Sequence, residues 1–442
     1  MKSEIKQFSY PDGTLQRVQL VRLEGWEELE FLNLAYSDDA LDCFADILRQ
    51  YLIPACPWIF GQLVLFHIPE DVTVPFSKDT KSGKVGEDLT AAAVALGAGV
   101  RIVRGKPKFR NDQVKAFWEV LESRGCIRIV SGKLPTTRFM PVGSTTGFLG
   151  ETQADARMKV NASFFIMDPI DCATVHDHVG TCLGLMVQNG VVTNPPLYHR
   201  EALLVNRDGT VAVKPVDIRD LEIEVAGIRY RDGVNCRIYT RPNRSHAPAG
   251  KQLVIVGNKV AEVVDGRTAI PGSGFVLRPQ ETFGVKPGDT VTYHGLENVT
   301  FGIQVGNSIV RDGVKTKTFQ SRFYNIRHLE PVPYPPSLYP MDFTGGRAAR
   351  IALGADAQHK PMILWAEGAP KIGYVPGKHS RGASLADMAD ICVSCGMVNA
   401  VNLDGGGSAQ ILLGKKRLLE VSDRKGDGSQ SERPVPNGLI VR

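Results

Sequence analysis

From about Met140 onward the chain is cut into short β-rich runs by turns that few residue types tolerate. "VQNGVVT", "VNRDGTVAV", "VGNKVAEVV", "FGVKPGDTVTYHG" and "VGNSIVRDGV" follow one another with little between them. Asn-Gly or Asp-Gly between β-forming residues marks a tight hairpin, because both central residues of such a turn need positive φ. This punctuation commits the region to locally paired strands. The 45 glycines of the chain agree with many turns and short strands.

The 442 residues suggest two or three domains, and 43% hydrophobic with 22% charged residues is ordinary globular composition. A formal charge of +5 comes with no Lys/Arg-rich tract, so nucleic acid is not expected as a partner. The first residues, "MKSEIKQFSYPDGTLQ", contain no apolar signal core, and the expected location is cytoplasmic, in a bacterial setting. The stretch from Tyr51 to Pro69 is free of Lys, Arg, Asp and Glu, but Pro54, Pro57 and His67 interrupt it. A buried strand pair is expected there, not a membrane span. Eight scattered cysteines read as reduced, and "CVSC" at Cys392–Cys395 reads as buried packing.

The first 130 or so residues mix signals. "DDALDCFADILRQYL" and "NDQVKAFWEVLESRG" have helical spacing and end signals, and "IRIVSG" reads as a strand. The expected organisation is an accessory α/β or α+β domain over 1–135 and a second domain over 136–442. Late in the chain, "RIALGADAQHKPMILWAEG" reads as two strands around a turn. "ASLADMADICVSCG" reads as an amphipathic helix stopped by Gly396, and "VNAVNL" as a strand ending at Asp404.

"NLDGGGSAQ" then sets a carboxylate at a strand end and removes three side chains in succession. Rigid backbone is a good mount for a catalytic group. Consecutive glycines allow positive φ, close approach of a ligand and an anion-cradling nest of N–H groups. A tight structural turn explains the same letters.

The assembly "ARIALGAD…ILWAEG…ASLADMADICVSCGMVNAVNLDGGGSAQILL" resembles the phosphodiester glycosidase family. "VNASFF", "TCLGLMV", "REALLVNRDGTV", "AIPGSGFVL", "VKPGDTVTY" and "ERPVPNGLIV" continue the resemblance over about residues 140 to 442. Ser163 stands where the family more often has Gly, and Glu367 where Asp is common. The insertion "IMDPIDCATVHDHVG" separates two of the motifs. The resemblance implies an α+β fold with a mixed sheet, a helix packed on one face and an active site at strand ends. It implies a glycoside hydrolase that cleaves an α-linked sugar, with GlcNAc one option, from a phosphodiester or related glycoside. Two alternatives stay open: an α-glycosidase acting on an aglycone without phosphate, and a catalytically inactive carbohydrate-binding protein.

Glycoside hydrolysis generally uses two carboxylates. Asp404 is expected as base or nucleophile and Glu367 as its partner, with Glu432 a third acidic candidate for substrate contact. Asn161 and Asn402 offer a donor and an acceptor each, which suits sugar hydroxyls or backbone anchoring. Gly405, Gly406 and Gly407 would floor the ligand site, and Ser408 would bond the sugar or cap the next segment. Arg350 and Arg433 are the phosphate candidates, since arginine binds phosphate bidentately. His176 and His178 are candidates for substrate contact. At i, i+2 they could also share a metal, so a divalent ion is held open although no cofactor is required. The expected partner is a small glycoside or sugar phosphodiester; no membrane is expected, and a homo-oligomer is an open option.

Overall fold

A computed structural model describes residues 1–33, 65–67, 100–103, 106–109, 112, 115, 140–142, 149–150, 155–166, 174, 176, 180–241, 245–281, 284–319, 322–323, 332–333, 344, 346–433 and 435–442. The two helices and the strand expected between 38 and 132 fall largely outside these residues. Among the described residues no helix is long and apolar enough to cross a membrane.

The chain divides into two units. One comprises Met1–Leu34, Phe148–Phe164 and Cys182–Arg442; the other comprises Ala35–Gly147 and Phe165–Thr181. The boundary therefore differs from the one drawn at residue 135. The first 34 residues belong with the C-terminal half, because their strands pair with it.

Three parts of the first unit position the site. Their elements, in chain order, are β1 (Lys2–Ser9), β2 (Leu15–Arg22), β3 (Leu29–Asn33), β4 (Met158–Asn161), β5 (Ser308–Arg311), β6 (Val314–Lys315), β7 (Arg350–Ala355), β8 (Pro361–Ala366), α1 (Leu385–Ser394), β9 (Asn399–Asn402), β10 (Ile411–Leu413) and β11 (Asn437–Val441). A seven-stranded sheet runs β1-β2-β8-β7-β9-β5-β6, and a four-stranded sheet runs β3-β11-β4-β10. All pairings within both are antiparallel.

Helix α1 covers one face of the large sheet. Ser384 caps it: Asp387 N–H donates to Ser384 Oγ (3.0 Å), and Ser384 N–H donates back to the Asp387 carboxylate (2.9 Å). Gly396, at φ +92°, ends it as expected. Leu385, Met388, Ala389, Ile391 and Cys392 are buried. Met388, Ala389, Ile391 and Cys392 pack against Val18, Leu20, Ala352, Met362, Leu364 and Ala366 of the sheet. Each large side chain buried there contributes about 1.5–3 kcal/mol. Cys392 and Cys395 are free and buried in this layer, as the packing reading expects.

The hairpins form where the turn residues stand. Asn189 and Gly190 take φ of 52° and 81° between Met186–Gln188 and Val191–Asn194, and Asp312 and Gly313 take 49° and 75° between β5 and β6. These are the conformations that the two-residue loops demand. A five-stranded sheet of segments 191–194, 186–188, 299–303, 200–206 and 211–216 adds a further layer of local pairing. The α+β expectation is corrected by this count of strands: the described residues are mostly β, with 46% strand and 7% helix. Among the described residues of the first unit α1 is the one α-helix, and the other two helices expected lie outside the described residues.

Candidate active site

Antiparallel order brings three chain segments to one end of the large sheet. Strand β7 is flanked by β8 and β9, with Arg350 opposite Ala366 and Ala352 opposite Asn402. The start of β7 and the ends of β8 and β9 therefore meet, which gathers Arg350, Glu367 and Asp404 at one edge. Strands one apart lie about 10 Å from each other at normal spacing, so Glu367 and Asp404 flank the β7 terminus.

The chain then crosses from β9 in the large sheet to β10 in the four-stranded sheet, and "DGGGS" is that crossing. Each glycine has its own reason. A side chain at Gly405 would strike the Ala349 carbonyl oxygen at 2.6 Å. Gly406 has a φ of +59°, and its N–H donates to the same Ala349 oxygen (2.8 Å). A side chain at Gly407 would occupy the place of the Asp423 carboxylate and the Arg433 guanidinium. The bare backbone thus admits an ion pair against the loop that carries Asp404.

Asp404 itself is rigidly held. Its N–H donates to Ala162 O (2.9 Å), its carbonyl accepts from Asn161 Nδ2 (2.7 Å), and its Oδ1 accepts from Gly405 N–H (2.8 Å). The carboxyl keeps some exposed surface but is enclosed by protein on most sides. Burial pushes its pKa up to about 6, against the opposing pull of the Ser408 hydroxyl, the Arg433 charge and the Gly405 N–H. Arg433 is fixed by Asp423 through Nε (3.0 Å) and Nη2 (2.9 Å), and Lys371 Nζ reaches the same carboxylate at 2.5 Å. Two cations share one anion there, and the Arg433 charge acts on Asp404.

The remaining sequence candidates divide. Asn161 is buried and bridges the loop: Nδ2 to Asp404 O, and Oδ1 from Gln410 N–H (3.0 Å). It anchors backbone, one of the two roles expected for it. Arg350 is buried and donates to the carbonyls of Ala383 (3.2 Å) and Gly346 (3.0 Å), so it ties α1's entry to the sheet. Glu432 accepts from Arg417 (3.3 Å) and from Gly150 N–H (3.0 Å). Glu367 is 2% exposed, and its carboxylate accepts from Arg17 Nε (2.7 Å), Ser380 Oγ and Glu420 N–H (2.8 Å). Three donors occupy the group expected to be the second catalytic carboxylate.

Asn402 is 1% exposed, and among the described residues neither its Oδ1 nor its Nδ2 has a hydrogen-bond partner. A buried amide left unpaired is costly, and Asn402 keeps hydrogen-bonding capacity that its described neighbours do not use. Ser408 Oγ is buried beside Asp404 and has no regular hydrogen bond of its own among the described residues. His176 lies in the second unit, its N–H donating to Thr174 Oγ1 (3.2 Å), and His178 lies outside the described residues. Among the described residues no three His, Cys, Asp or Glu side chains come together as metal ligands.

Sequence reading missed Lys371, Asp423 and Cys182. The first two sit in loops with no motif spacing, and only the tertiary ion pairs select them. The Cys182 thiol lies within electrostatic reach of Asp404; burial first, then that negative charge, pushes its pKa to about 12, so it is a neutral thiol.

No curated protein matches the chain. Among solved structures, a hypothetical protein from Synechocystis aligns at TM-score 0.42 and 15% identity over 100% of this chain, which spans 62% of that protein's length. A protein of Burkholderia pseudomallei K96243 aligns at TM-score 0.42 and 14% identity, covering 100% of this chain and 96% of that one. The zebrafish N-acetylglucosamine-1-phosphodiester α-N-acetylglucosaminidase catalytic domain, auto-inhibited by its pro-peptide, aligns at TM-score 0.33 and 14% identity over 67% of each chain. At these scores the superpositions carry no weight for substrate or mechanism. The family comparison is more direct: residues 232–442, which hold Glu367, Asp404, the three glycines, Asp423 and Arg433, match the phosphodiester glycosidase profile. Over that C-terminal segment, a little under half of its length, the chain is similar to the phosphodiester glycosidase family.

Proposed function

We propose that the first unit hydrolyses an α-linked sugar, with GlcNAc one option, from a phosphodiester or related glycoside, with Asp404 as the catalytic base. The observation that carries this reading is the setting of Asp404. Its recessed carboxyl has a pKa of about 6, on a loop stripped of side chains, beside the Lys371–Asp423–Arg433 cluster. A base tuned near the working pH takes a proton efficiently.

In this mechanism Asp404 removes a proton from water as the water oxygen bonds to the anomeric carbon. The bond from that carbon to the phosphate oxygen breaks, and its electron pair leaves with the phosphate. A phosphate leaving group departs without protonation, so no second acid is needed. That agrees with a Glu367 fully engaged by Arg17, Ser380 and Glu420. Arg433 and Lys371 balance the charge that develops on the leaving phosphate. Asn402 and Ser408 supply buried polar groups for sugar hydroxyls.

The test is hydrolysis of a panel of α- and β-linked glycosyl phosphodiesters and aryl glycosides by the wild type and by Asp404→Asn. Release from an α-linked phosphodiester, abolished in the variant, supports the reading. Equal release by the variant, or release confined to β-linked compounds, defeats it. Saturable sugar binding without any hydrolysis would favour a binding protein.

A further inference from the structure

We infer that the loop of residues 369–379 is an aglycone platform, taking an apolar group carried on the phosphate of the substrate; this rests on the glycosidase reading of Asp404. The loop, "APKIGYVPGKH", leaves the sheet at the end of β8 and returns before α1. Glu367 at its start accepts a hydrogen bond from the hydroxyl of Ser380 at its end, so the base is closed. Lys371 N–H donates to Ser422 O (3.0 Å) and fixes the first arm. The tip is tied internally by Val375 N–H to His379 Nδ1 (2.9 Å) and His379 N–H to Val375 O (3.0 Å). This is a compact loop with its ends together, a form often used for binding.

Between its two ends its side chains do not serve the core. Residues 371–378 are all exposed. Ile372, Tyr374 and Val375 are exposed by 50%, 38% and 46%. Elsewhere among the described residues exposed large hydrophobics occur singly, whereas here three fall within four positions. Scattered exposed apolar residues need no explanation, but a cluster marks a contact surface.

Position selects the occupant. Lys371, next to Ile372, holds the Asp423 carboxylate that also fixes Arg433, and the Arg433 charge acts on Asp404. On the glycosidase reading, a sugar at Asp404 would carry its phosphate toward Arg433 and Lys371, and an apolar group on that phosphate would meet Ile372, Tyr374 and Val375, which follow Lys371 in the loop. The chemistry that fits is an anion followed by an alkyl or isoprenoid-like chain.

The experiment measures binding of n-hexyl phosphate and of inorganic phosphate to the full chain by calorimetry. It compares wild type with the triple variant Ile372→Ser, Tyr374→Ser, Val375→Ser, whose melting temperature checks that it folds. The expected result is a preference for hexyl phosphate of about tenfold in wild type, the scale of two or so methylenes covered. The variant should retain phosphate affinity and lose the preference. No preference in wild type, or the same preference in the variant, overturns the inference. Hydrolysis of methyl and hexyl glycosyl phosphodiesters separates the two readings. Turnover indifferent to chain length defeats the platform while the glycosidase stands. Absence of all turnover with the hexyl preference intact defeats the glycosidase while the platform's contact with an alkyl phosphate stands.

Discussion

Replacing Glu367 by glutamine distinguishes a structural carboxylate from a catalytic one. The group is buried and receives three donors: the Arg17 guanidinium, the Ser380 hydroxyl and the Glu420 N–H. Glutamine keeps the shape but offers one oxygen and an NH2 that must face a donor. Hydrogen bonds to a charged group contribute about 1.5–3 kcal/mol each. The glutamine oxygen can keep two acceptor contacts, and Arg17, with a side chain 34% exposed, can regain water. The net loss is therefore about 2–3 kcal/mol, below the 3–5 kcal/mol typical of stranding one partner of a fully buried pair. At roughly 2 °C per kcal/mol for a unit of this size, the melting temperature falls about 4–6 °C. Turnover below that temperature should fall less than about tenfold, since proton transfer does not pass through Glu367. A general acid would behave in the opposite way, losing about 10²–10⁴ in kcat. Differential scanning calorimetry together with initial rates reads both quantities. An unchanged melting temperature with kcat reduced more than about a hundredfold refutes the reasoning and restores Glu367 to the chemistry.

Three further outcomes follow from the same geometry. With its pKa near 6 when folded, above the ordinary carboxylate value, Asp404 binds more protons folded than unfolded between about pH 4 and 6. Its contribution to stability is thus present at low pH and lost as pH rises through 6, while activity as a base rises over the same range. Asp404→Asn should be inactive yet more stable than wild type at pH 7, on the order of 1 kcal/mol, and equal to it near pH 3.5; a pH series of melting curves and rates checks both signs. Gly407→Ala drives a methyl into the Asp423–Arg433 pair, so phosphodiester turnover should fall at least about tenfold with about 1–3 kcal/mol of stability, read by rates and denaturant titration. Ser384→Ala removes one half of the α1 capping box and should cost about 1 kcal/mol in the same titration, with KM unchanged.

Local chemistry was legible in the letters. The Asn-Gly and Asp-Gly turns form where they are written, because φ preference is decided within two residues. The α1 helix has its predicted end at Gly396, with its capping box at Ser384, because a period of 3.6 and two caps suffice for one helix against one sheet face. Asp404 stands at a strand end for the same local reason. Partnership was not legible. Glu367 reads as a free acid at a strand end, but its main ionic partner, Arg17, lies 350 positions away. Asn161 reads as a sugar contact or a backbone anchor, and only folding shows that it clamps a loop 243 positions on. Lys371 and Asp423 carry no motif, and they matter because folding sets them against Gly407 and Arg433. Sequence alone fixed which residues can turn, cap and ionise, since those are properties of short stretches of chain. Only the tertiary structure decided which ionisable groups are consumed by neighbours and which remain to meet a ligand, since that depends on contacts closed across hundreds of residues.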